Sequence, residues 1–391
     1  MTKARRIGMI DSLRGFAVLG MLVANMLFFQ YGTNNDVIIS TASMVDKICY
    51  YLIKIFVEGT FYPIFIFLFG FSLVKLDYSL KKSRWVIIRR AIGLLFIGFI
   101  HLIFISESDV LVAYSATVLF CILFLKREAE TCFTWAAIIS VFIVVTLFYS
   151  HVLLDTPTQQ PPLTEEKTAI YATGSYMDIV ENRIANFTEA SELFNPISLI
   201  IITFIVLLLF SPIMLGPFML IGMGIAKKGR FSNPDKEKKL YRQWAYLLPI
   251  GIALKSLIFL EGSIGELGFM IGTYVLSAGY IGAFALLYHS SFGEKLAALF
   301  NNVGYMSLTN YLVQSIICTT LFYGYGFGLF GRLGITVGIL LSFVIFALQV
   351  VFSNWFLSKY NHGPFEYVLR IWTYLKTPQK TETVQEEPNQ G

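Results

Sequence analysis

Long apolar runs separated by polar segments dominate this sequence. A helix that crosses the hydrocarbon core of a bilayer needs about 20 mainly apolar residues, and ten stretches of the chain approach that requirement. They are 14–31, 48–76, 89–106, 109–126, 132–152, 196–225, 244–260, 266–289, 303–328 and 333–357. Charged residues make up only 14% of the 391 residues, against roughly 25% in soluble domains. We therefore predict an all-α fold, a polytopic membrane helix bundle with about ten transmembrane helices.

Lys and Arg residues concentrate in alternate segments between these runs. They precede the first run at 3–6, follow the second at 81–90 and are densest at 227–242. The segment 153–195 instead carries two basic residues against seven acidic ones. Since basic residues favour the cytoplasmic side of a membrane, we expect both termini to be cytoplasmic. The segment 153–195 is then an extracytoplasmic insertion within a single helical domain, 1–376.

Two further segments bear on these boundaries. The strongly polar stretch 377–391 is predicted to be a disordered cytoplasmic tail. The run 196–225 is long for one span and contains Pro212 and Pro217, which favour a kink or a break in a helix. The sequence leaves open whether this run crosses the membrane once or re-enters from the same side.

The cysteines and the net charge bear on which kinds of site and which partners the sequence predicts. Cys49, Cys121, Cys132 and Cys318 form no CxxC pair and lie far from any histidine cluster. We therefore predict neither a disulfide framework nor a metal site. The net charge of +5 carries little information about partners, because in membrane proteins the positions of Lys and Arg matter more than their sum. Membrane lipid is the expected partner of a polytopic helix bundle, and no nucleic-acid partner is implied.

Polar residues inside the apolar runs are spaced so that they share helix faces. Arg14 and Asn25 lie eleven residues apart in the first run, and Arg90 and His101 have the same spacing in the third. Eleven steps of 100° return to nearly the same face about 16 Å higher, so we predict that these four side chains line one polar channel. An ionisable group is expensive inside a bilayer, which favours a functional role for His101.

The ninth run adds another polar face. Ser307, Asn310 and Gln314 are three and four residues apart and hence on one side of a helix. Asn and Gln in membrane helices also serve only to link helices by hydrogen bonds, and arginines near helix ends also serve as interface anchors. Both interpretations stay open for these residues.

Five stretches of the chain, in the same order along the sequence, resemble a known family. They are IDSLRGFAVLGMLVAN (10–25), FYPIFIFLFGFS (61–72), RRAIGLLFIGFIH followed by SDVLVAYS (89–101, 108–115), YMSLTNYLVQS (305–315) and HGPFEYVLR (362–370). On these motifs the chain resembles, over nearly its whole length, the bacterial inner-membrane proteins of domain-of-unknown-function family 418, the YeiB-like proteins. The resemblance implies a multi-pass protein of the bacterial plasma membrane. The family has no settled biochemical activity to transfer to this chain.

Family 418 is in turn similar to the transmembrane acyltransferases, which include the acyltransferase-3 proteins and heparan-α-glucosaminide N-acetyltransferase. Those enzymes move an acyl group from a cytoplasmic coenzyme A thioester to a carbohydrate across the membrane, and they use an intramembrane histidine. The resemblance implies a membrane acyltransferase with acyl-CoA as donor substrate and an envelope carbohydrate or lipid as acceptor. One departure is Asn25, which stands where acyltransferase-3 proteins tend to have a histidine.

His101 would then have to act as the catalytic base, and a histidine suits neutral pH because its reference pKa is about 6.5. Asp109, just beyond it, would orient the imidazolium or, alternatively, cap the next helix. Arg14, Arg89 and Arg90 would hold the phosphates of coenzyme A near the cytoplasmic surface.

Further polar residues in the spans are expected to contact the substrate: Asn25, Glu58, Ser307, Asn310 and Gln314. Near the C-terminus, Glu366 and Arg370 are four residues apart, and we predict an intrahelical salt bridge between them. His362 is expected to pack at the membrane interface.

A second class of function competes with the enzyme. Broken helices and buried charges near the midplane are also typical of transporters, so a transporter or flippase of a small amphiphilic solute is the alternative. The missing internal repeat argues against it, and acyl-CoA binding would separate the two. The oligomeric state stays open, with a homodimer among the options.

Overall fold

A computed structural model of the chain describes residues 8–33, 39–79, 84–150, 163–188, 196–231, 234–260, 262–288 and 290–375. Within these ranges every regular element is a helix, which confirms the predicted all-α class. The helices are α1 (Gly8–Tyr31), α2 (Met44–Phe56), α3 (Phe61–Ser79), α4 (Arg84–Ile100), α5 (Leu111–Cys121), α6 (Ala129–Phe148), α7 (Glu165–Thr173), α8 (Tyr176–Thr188), α9 (Pro196–Lys227), α10 (Lys238–Ala245), α11 (Leu247–Ser256), α12 (Ser263–Leu287), α13 (Ser291–Tyr305), α14 (Ser307–Phe322), α15 (Ile335–Lys359) and α16 (Pro364–Tyr374). The predicted tail 377–391 lies outside the described residues.

Each of the ten predicted spans coincides with helical segments of this structure. Seven segments are long and apolar enough to cross a bilayer: Gly8–Tyr31, Met44–Tyr78, Arg84–Ile105, Ala129–Phe148, Ile205–Lys227, Ser263–Leu287 and Ile335–Lys359. The other three predicted spans correspond to the shorter helices α5, α11 and α14. The chain is thus an all-helical bundle with seven candidate membrane-spanning helices, and the total of ten crossings stays a prediction.

Helix α1 packs against five other helices, α3, α12, α13, α14 and α15. Two of its contacts require glycine because backbones meet there. A Cβ atom at Gly15 would lie 2.0 Å from the carbonyl oxygen of Phe300, and one at Gly304 would lie 1.8 Å from that of Asp11. These contacts hold the N-terminal half of α1 against the junction between α13 and α14.

The run 48–76, predicted to form one span, lies within one candidate span, Met44–Tyr78, but this segment consists of two helices. It separates into α2 and α3 at residues 57–60, where Gly59 adopts a φ of 72°. This left-handed conformation is readily available to glycine and ends the hydrogen-bonding pattern of α2. The run is apolar on both sides of residues 57–60. Its composition therefore does not indicate the break between α2 and α3.

Neighbouring side chains satisfy the backbone groups that this break leaves free. Lys255 Nζ donates to the carbonyl oxygen of Glu58 at 2.6 Å and to Thr60 Oγ1 at 3.1 Å. Ser277 Oγ donates to the carbonyl oxygen of Thr60 at 2.6 Å. The Lys255 side chain is fully buried. Irregular backbone at membrane depth is tolerated where protein groups bind it in this way.

Helix α9 does not break at its two prolines, which favour a kink or a break. It continues for 32 residues from Pro196 to Lys227 across Pro212 and Pro217. Helices α3, α5 and α6 pack along it. Packing along much of its length thus supports a helix in which the two prolines cannot donate backbone hydrogen bonds.

The described part of the predicted extracytoplasmic insertion forms α7 and α8, which lie against the end of α4. Arg183 of α8 donates to the carbonyl oxygens of Ile103 at 3.3 Å and Ile105 at 2.9 Å. Residues 151–162 and 189–195 of this segment lie outside the described residues. The acid-rich segment is therefore attached to the turn that follows α4.

Candidate functional site

A cavity of about 270 Å³ lies at the end of the bundle where the predicted cytoplasmic segments are. Arginines from three helices line it: Arg14 of α1, Arg90 of α4 and Arg370 of α16. Its other polar lining residues are Ser72, Tyr114, Tyr305, Ser307, Tyr311, His362 and Glu366. Guanidinium groups that converge in this way are suited to bind a phosphate or carboxylate group.

Arg14 is held by side chains from two helices. Its Nη1 donates to Asp11 Oδ1 at 2.6 Å, one turn earlier on α1, and its Nη2 donates to the Ser72 hydroxyl on α3. Because these contacts restrict its rotamers in advance, Arg14 loses little conformational entropy when it binds an anion.

The adjacent residues Arg89 and Arg90 lie in different surroundings. Arg90 lines the cavity and interacts with the Tyr114 side chain. Arg89 lies about 100° away around α4 and is not among the residues that line the cavity. Its carbonyl oxygen accepts from Trp372 Nε1 at 2.7 Å, and its Nε is buried without a hydrogen-bond partner among the described residues. The structure therefore brings Arg90, and not Arg89, together with Arg14.

Sequence reasoning missed three residues near the C-terminus as members of this site. His362, Glu366 and Arg370 all line the cavity and are spaced four residues apart. The motif HGPFEYVLR contains all three residues, but its spacing alone predicts a salt bridge between Glu366 and Arg370 beside an interfacial histidine. In the structure Glu366 instead accepts from the backbone N–H groups of Leu308 at 2.8 Å and Thr309 at 3.1 Å.

Glu366 therefore caps the N-terminus of α14. The Thr309 hydroxyl also donates to its carboxylate, while Arg370 lies over the ring of Tyr374, 5.2 Å from the centroid. Burial raises the pKa of Glu366 above its ordinary value of 4.5, and the hydrogen bonds from Thr309 and Leu308 oppose this rise. The cavity thus contains a carboxyl group that ionises at a higher pH than an exposed glutamate.

His101 and Asp109 form a buried pair at the opposite end of α4 from Arg90. His101 Nδ1 lies 2.9 Å from Asp109 Oδ1, and 0% and 1% of the two side chains are exposed. Asp109 Oδ2 also accepts from the Val112 N–H at 2.8 Å in the first turn of α5. Asp109 therefore both binds the His101 ring and caps the N-terminus of α5, the two roles predicted for it as alternatives. His101 Nε2 is buried and has no hydrogen-bond partner in the described part of the chain.

A local irregularity in the helix positions this pair. His101 begins a π-helical turn, His101–Ile105, which the Ser106 N–H closes by donating to the His101 carbonyl oxygen at 2.8 Å. Single π-turns occur frequently at functional sites. The loop that follows this turn returns Asp109 to the His101 ring.

Tyr311 separates the buried pair from the arginine-lined cavity. Its side chain lines the cavity, and its ring centroid lies 5.2 Å from that of His101. The Tyr311 hydroxyl donates to the carbonyl oxygen of Ser108 at 3.0 Å and accepts from the Val110 N–H at 3.3 Å. The structure thus does not show the predicted continuous channel from Arg90 to His101, because Tyr311 closes it.

The other residues expected to contact substrate have different surroundings. Ser307 lines the cavity. Asn310 Nδ2 donates to Ser353 Oγ at 3.0 Å, and Gln314 Nε2 donates to Gln349 Oε1 at 2.8 Å. Asn310 and Gln314 therefore link α14 to α15, which is the structural alternative that the sequence left open.

Asn25 and Glu58 are not among the residues that line the cavity. Asn25 is half-buried on α1, and Glu58 lies in the break between α2 and α3. Within the described ranges, no group of three or more His, Cys, Asp or Glu side chains is placed to hold a metal ion.

Comparison with known proteins finds relatives along nearly the whole chain. A family model described as "Protein of unknown function (DUF418)" matches residues 225–376. The chain is 31% identical over 393 residues to the "Uncharacterized protein YxaH" of Bacillus subtilis (strain 168), covering 95% of this chain and 94% of that protein. It is 25% identical over 384 residues to the "Uncharacterized protein YeiB" of Escherichia coli (strain K12), covering 93% of this chain and 95% of the relative.

Proposed function

We propose that this chain, which belongs to the DUF418 family, is a membrane acyltransferase. It would move an acyl group from cytoplasmic acyl-CoA to an envelope glycan or lipid on the other side of the membrane. The proposal rests chiefly on the buried His101–Asp109 pair. The His101 Nε2 atom has no hydrogen-bond partner among the described residues. The Tyr311 ring lies between this pair and the arginine-lined cavity.

The arginines account for donor binding. Guanidinium groups form paired hydrogen bonds with phosphate oxygens, and Arg14, Arg90 and Arg370 surround one cavity. The cavity has a volume of about 270 Å³. The phosphate groups are the part of the donor that these arginines would bind.

His101 accounts for proton transfer. Because Asp109 binds Nδ1, Nε2 is the nitrogen available to take a proton. In the proposed step Nε2 accepts the proton of an acceptor hydroxyl or amine while that oxygen or nitrogen bonds to the acyl carbonyl carbon. The carbon–sulfur bond then breaks, and the thiolate of coenzyme A takes the proton from His101. Asp109 stabilises the imidazolium between these events.

Tyr311 gives this mechanism a conformational requirement. His101 and Arg90 are eleven residues apart, or about 16 Å along the helix, and the Tyr311 ring lies between the cavity and His101. The acyl arm reaches Nε2 only when this ring moves. The hydrogen bonds of the Tyr311 hydroxyl to the loop 108–110 link that movement to the loop that contains Asp109.

Binding of acyl-CoA to the purified protein tests the donor site. Arg90→Lys keeps the charge but loses the planar fork, so we expect about tenfold weaker binding, as for the loss of one charge-assisted hydrogen bond. Arg84→Lys is the matched control, since Arg84 is on the same helix and does not line the cavity. Equal affinity of the two variants would leave Arg90 as an interface anchor.

A transporter of a small amphiphilic solute is the second candidate, and the break between α2 and α3 favours it. Discontinuous helices and buried charges are typical of transporters, and the fully buried Lys255 binds the break between α2 and α3. The two candidates differ in product. A transferase releases coenzyme A and forms an acylated acceptor, whereas a transporter moves its solute unchanged.

A further inference from the structure

A second cavity, of about 360 Å³, adjoins the arginine-lined one. Tyr305 lines both cavities. Asp11 lines the second and binds Arg14, which lines the first, through the 2.6 Å hydrogen bond. One tyrosine side chain and one ion pair therefore lie between the two spaces.

The two cavities differ in their chemistry. Arginines dominate the first, whereas amide groups and aromatic rings dominate the second. The amide and aromatic side chains that line the second cavity are Asn301, Asn302, Asn361, Tyr305 and Tyr360. Asp11 is the one charged residue among the described residues that line the second cavity. The first space is thus suited to an anion and the second to a neutral group that forms hydrogen bonds.

Two of the three asparagine amides that line the second cavity are available to a ligand. Asn302 donates to Asn354 Oδ1 at 2.7 Å, but the side chains of Asn301 and Asn361 form no hydrogen bond with the described residues. An asparagine amide presents a donor and an acceptor side by side, the pattern that pairs with the edge of adenine. Tyrosine rings stack on the faces of bases.

We infer that the two cavities form one bipartite site, in which the second cavity binds the nucleoside of a donor whose phosphates bind Arg14, Arg90 and Arg370. The identity of that donor as a coenzyme A thioester rests on the proposed function. Asp11 faces the junction between the two cavities, where its carboxylate accepts a hydrogen bond from a ribose hydroxyl, a role that acidic residues have in dinucleotide sites. The protein thereby selects a nucleotide-bearing donor over other phosphate esters.

Binding to the full-length protein in detergent tests this arrangement with three ligands. Coenzyme A carries both parts, ADP carries a diphosphate with a nucleoside, and pyrophosphate carries the diphosphate alone. The variants are Asn301→Ala and Asn361→Ala in the second cavity and Arg90→Gln in the first. Asn186→Ala, an exposed position on α8, is the matched control.

The bipartite site predicts that wild-type protein binds ADP at least tenfold more tightly than pyrophosphate. Asn301→Ala and Asn361→Ala should each weaken coenzyme A and ADP about fivefold, the effect of one lost hydrogen bond, and leave pyrophosphate unchanged. Arg90→Gln should weaken all three ligands, and Asn186→Ala none. Unchanged pyrophosphate binding also shows that the asparagine variants are folded.

Two results would overturn the inference. One is equal wild-type affinity for ADP and pyrophosphate, and the other is an asparagine variant that weakens both alike or neither. A protein that prefers ADP to pyrophosphate but does not bind coenzyme A would instead overturn the proposed acyl donor and leave the bipartite site standing. Failure of the proposed function and failure of this inference are therefore distinguishable.

Discussion

Arg183 is the residue through which the outer segment should stabilise the turn that contains His101. The side chain is 1% exposed, and its two terminal nitrogens donate to the carbonyl oxygens of Ile103 and Ile105. These carbonyls belong to the π-turn, His101–Ile105. Each hydrogen bond to a charged donor contributes about 1.5–3 kcal/mol. Since the bond to Ile103 is long at 3.3 Å, we assign about 3 kcal/mol to the two together.

Arg183→Gln removes both bonds and leaves two carbonyl oxygens in the turn without their donors. A loss of about 3 kcal/mol corresponds to roughly a 150-fold larger population of the opened turn. The Ser106 N–H, which donates to the His101 carbonyl oxygen, reports that opening. Hydrogen–deuterium exchange measured on peptides that contain Ser106 should therefore become faster by about that factor.

Two further variants make this test specific. Arg183→Lys keeps the charge and reaches one carbonyl oxygen, so its exchange rate should lie between those of wild type and Arg183→Gln. Arg332→Gln removes an exposed arginine and should change stability by less than about 0.5 kcal/mol. The reasoning fails if Arg183→Gln exchanges at the rate of wild type or of Arg332→Gln.

Glu366, Lys255 and the orientation of the chain in the membrane can each be tested separately. Burial raises the pKa of Glu366 above 4.5. Between pH 4.5 and this raised pKa, the folded state therefore binds more protons than the unfolded state. The free energy of unfolding should fall as the pH rises through this interval. Glu366→Gln should abolish this fall in stability, measured by thermal unfolding at several pH values. A variant that keeps the same pH dependence would show that Glu366 is not its source. Lys255→Met leaves the Glu58 carbonyl oxygen without its donor and should destabilise the protein by about 2 kcal/mol. Lys239 is exposed, so Lys239→Met should leave stability unchanged. Equal melting temperatures of the two variants would contradict this role of Lys255. A cysteine at Ser175 should react with an impermeant reagent from outside the cell, and one at Lys239 only after permeabilisation; reversed labelling would overturn the predicted orientation.

The helices were predictable from sequence because membrane spans require long apolar runs. All ten runs coincide with helical segments, but the same signal did not indicate the break at 57–60. That break depends on Lys255 and Ser277, about 200 residues later in the chain. Conversely, the prolines of α9 favour a kink or a break, and the helix is unbroken where three neighbouring helices pack along it. Local composition does not report such distant partners.

The site was predictable only where one helix determines it. The spacing of Arg90 along α4 and the depth of Arg14 in α1 indicated residues that do face one cavity. Arg370 reaches the same cavity from a helix near the C-terminus. The four-residue spacing of His362, Glu366 and Arg370 is that of one helix face, but it does not indicate which distant helices that face contacts. The spacing from Arg90 to His101 was also informative, but it could not show that Tyr311 from α14 lies between them.

The most direct test of the proposed function is the transfer rate of His101→Gln. The assay measures release of coenzyme A thiol from acyl-CoA by protein in proteoliposomes supplied with envelope glycans and lipids, together with acyl-CoA binding. Glutamine retains a hydrogen-bonding group beside Asp109 but cannot act as a base near neutral pH. The account predicts a rate lower by about 10² to 10⁴ with acyl-CoA affinity unchanged, because the arginines bind the donor. A His101→Gln protein that binds acyl-CoA and transfers the acyl group at the wild-type rate would contradict the catalytic role of the His101–Asp109 pair.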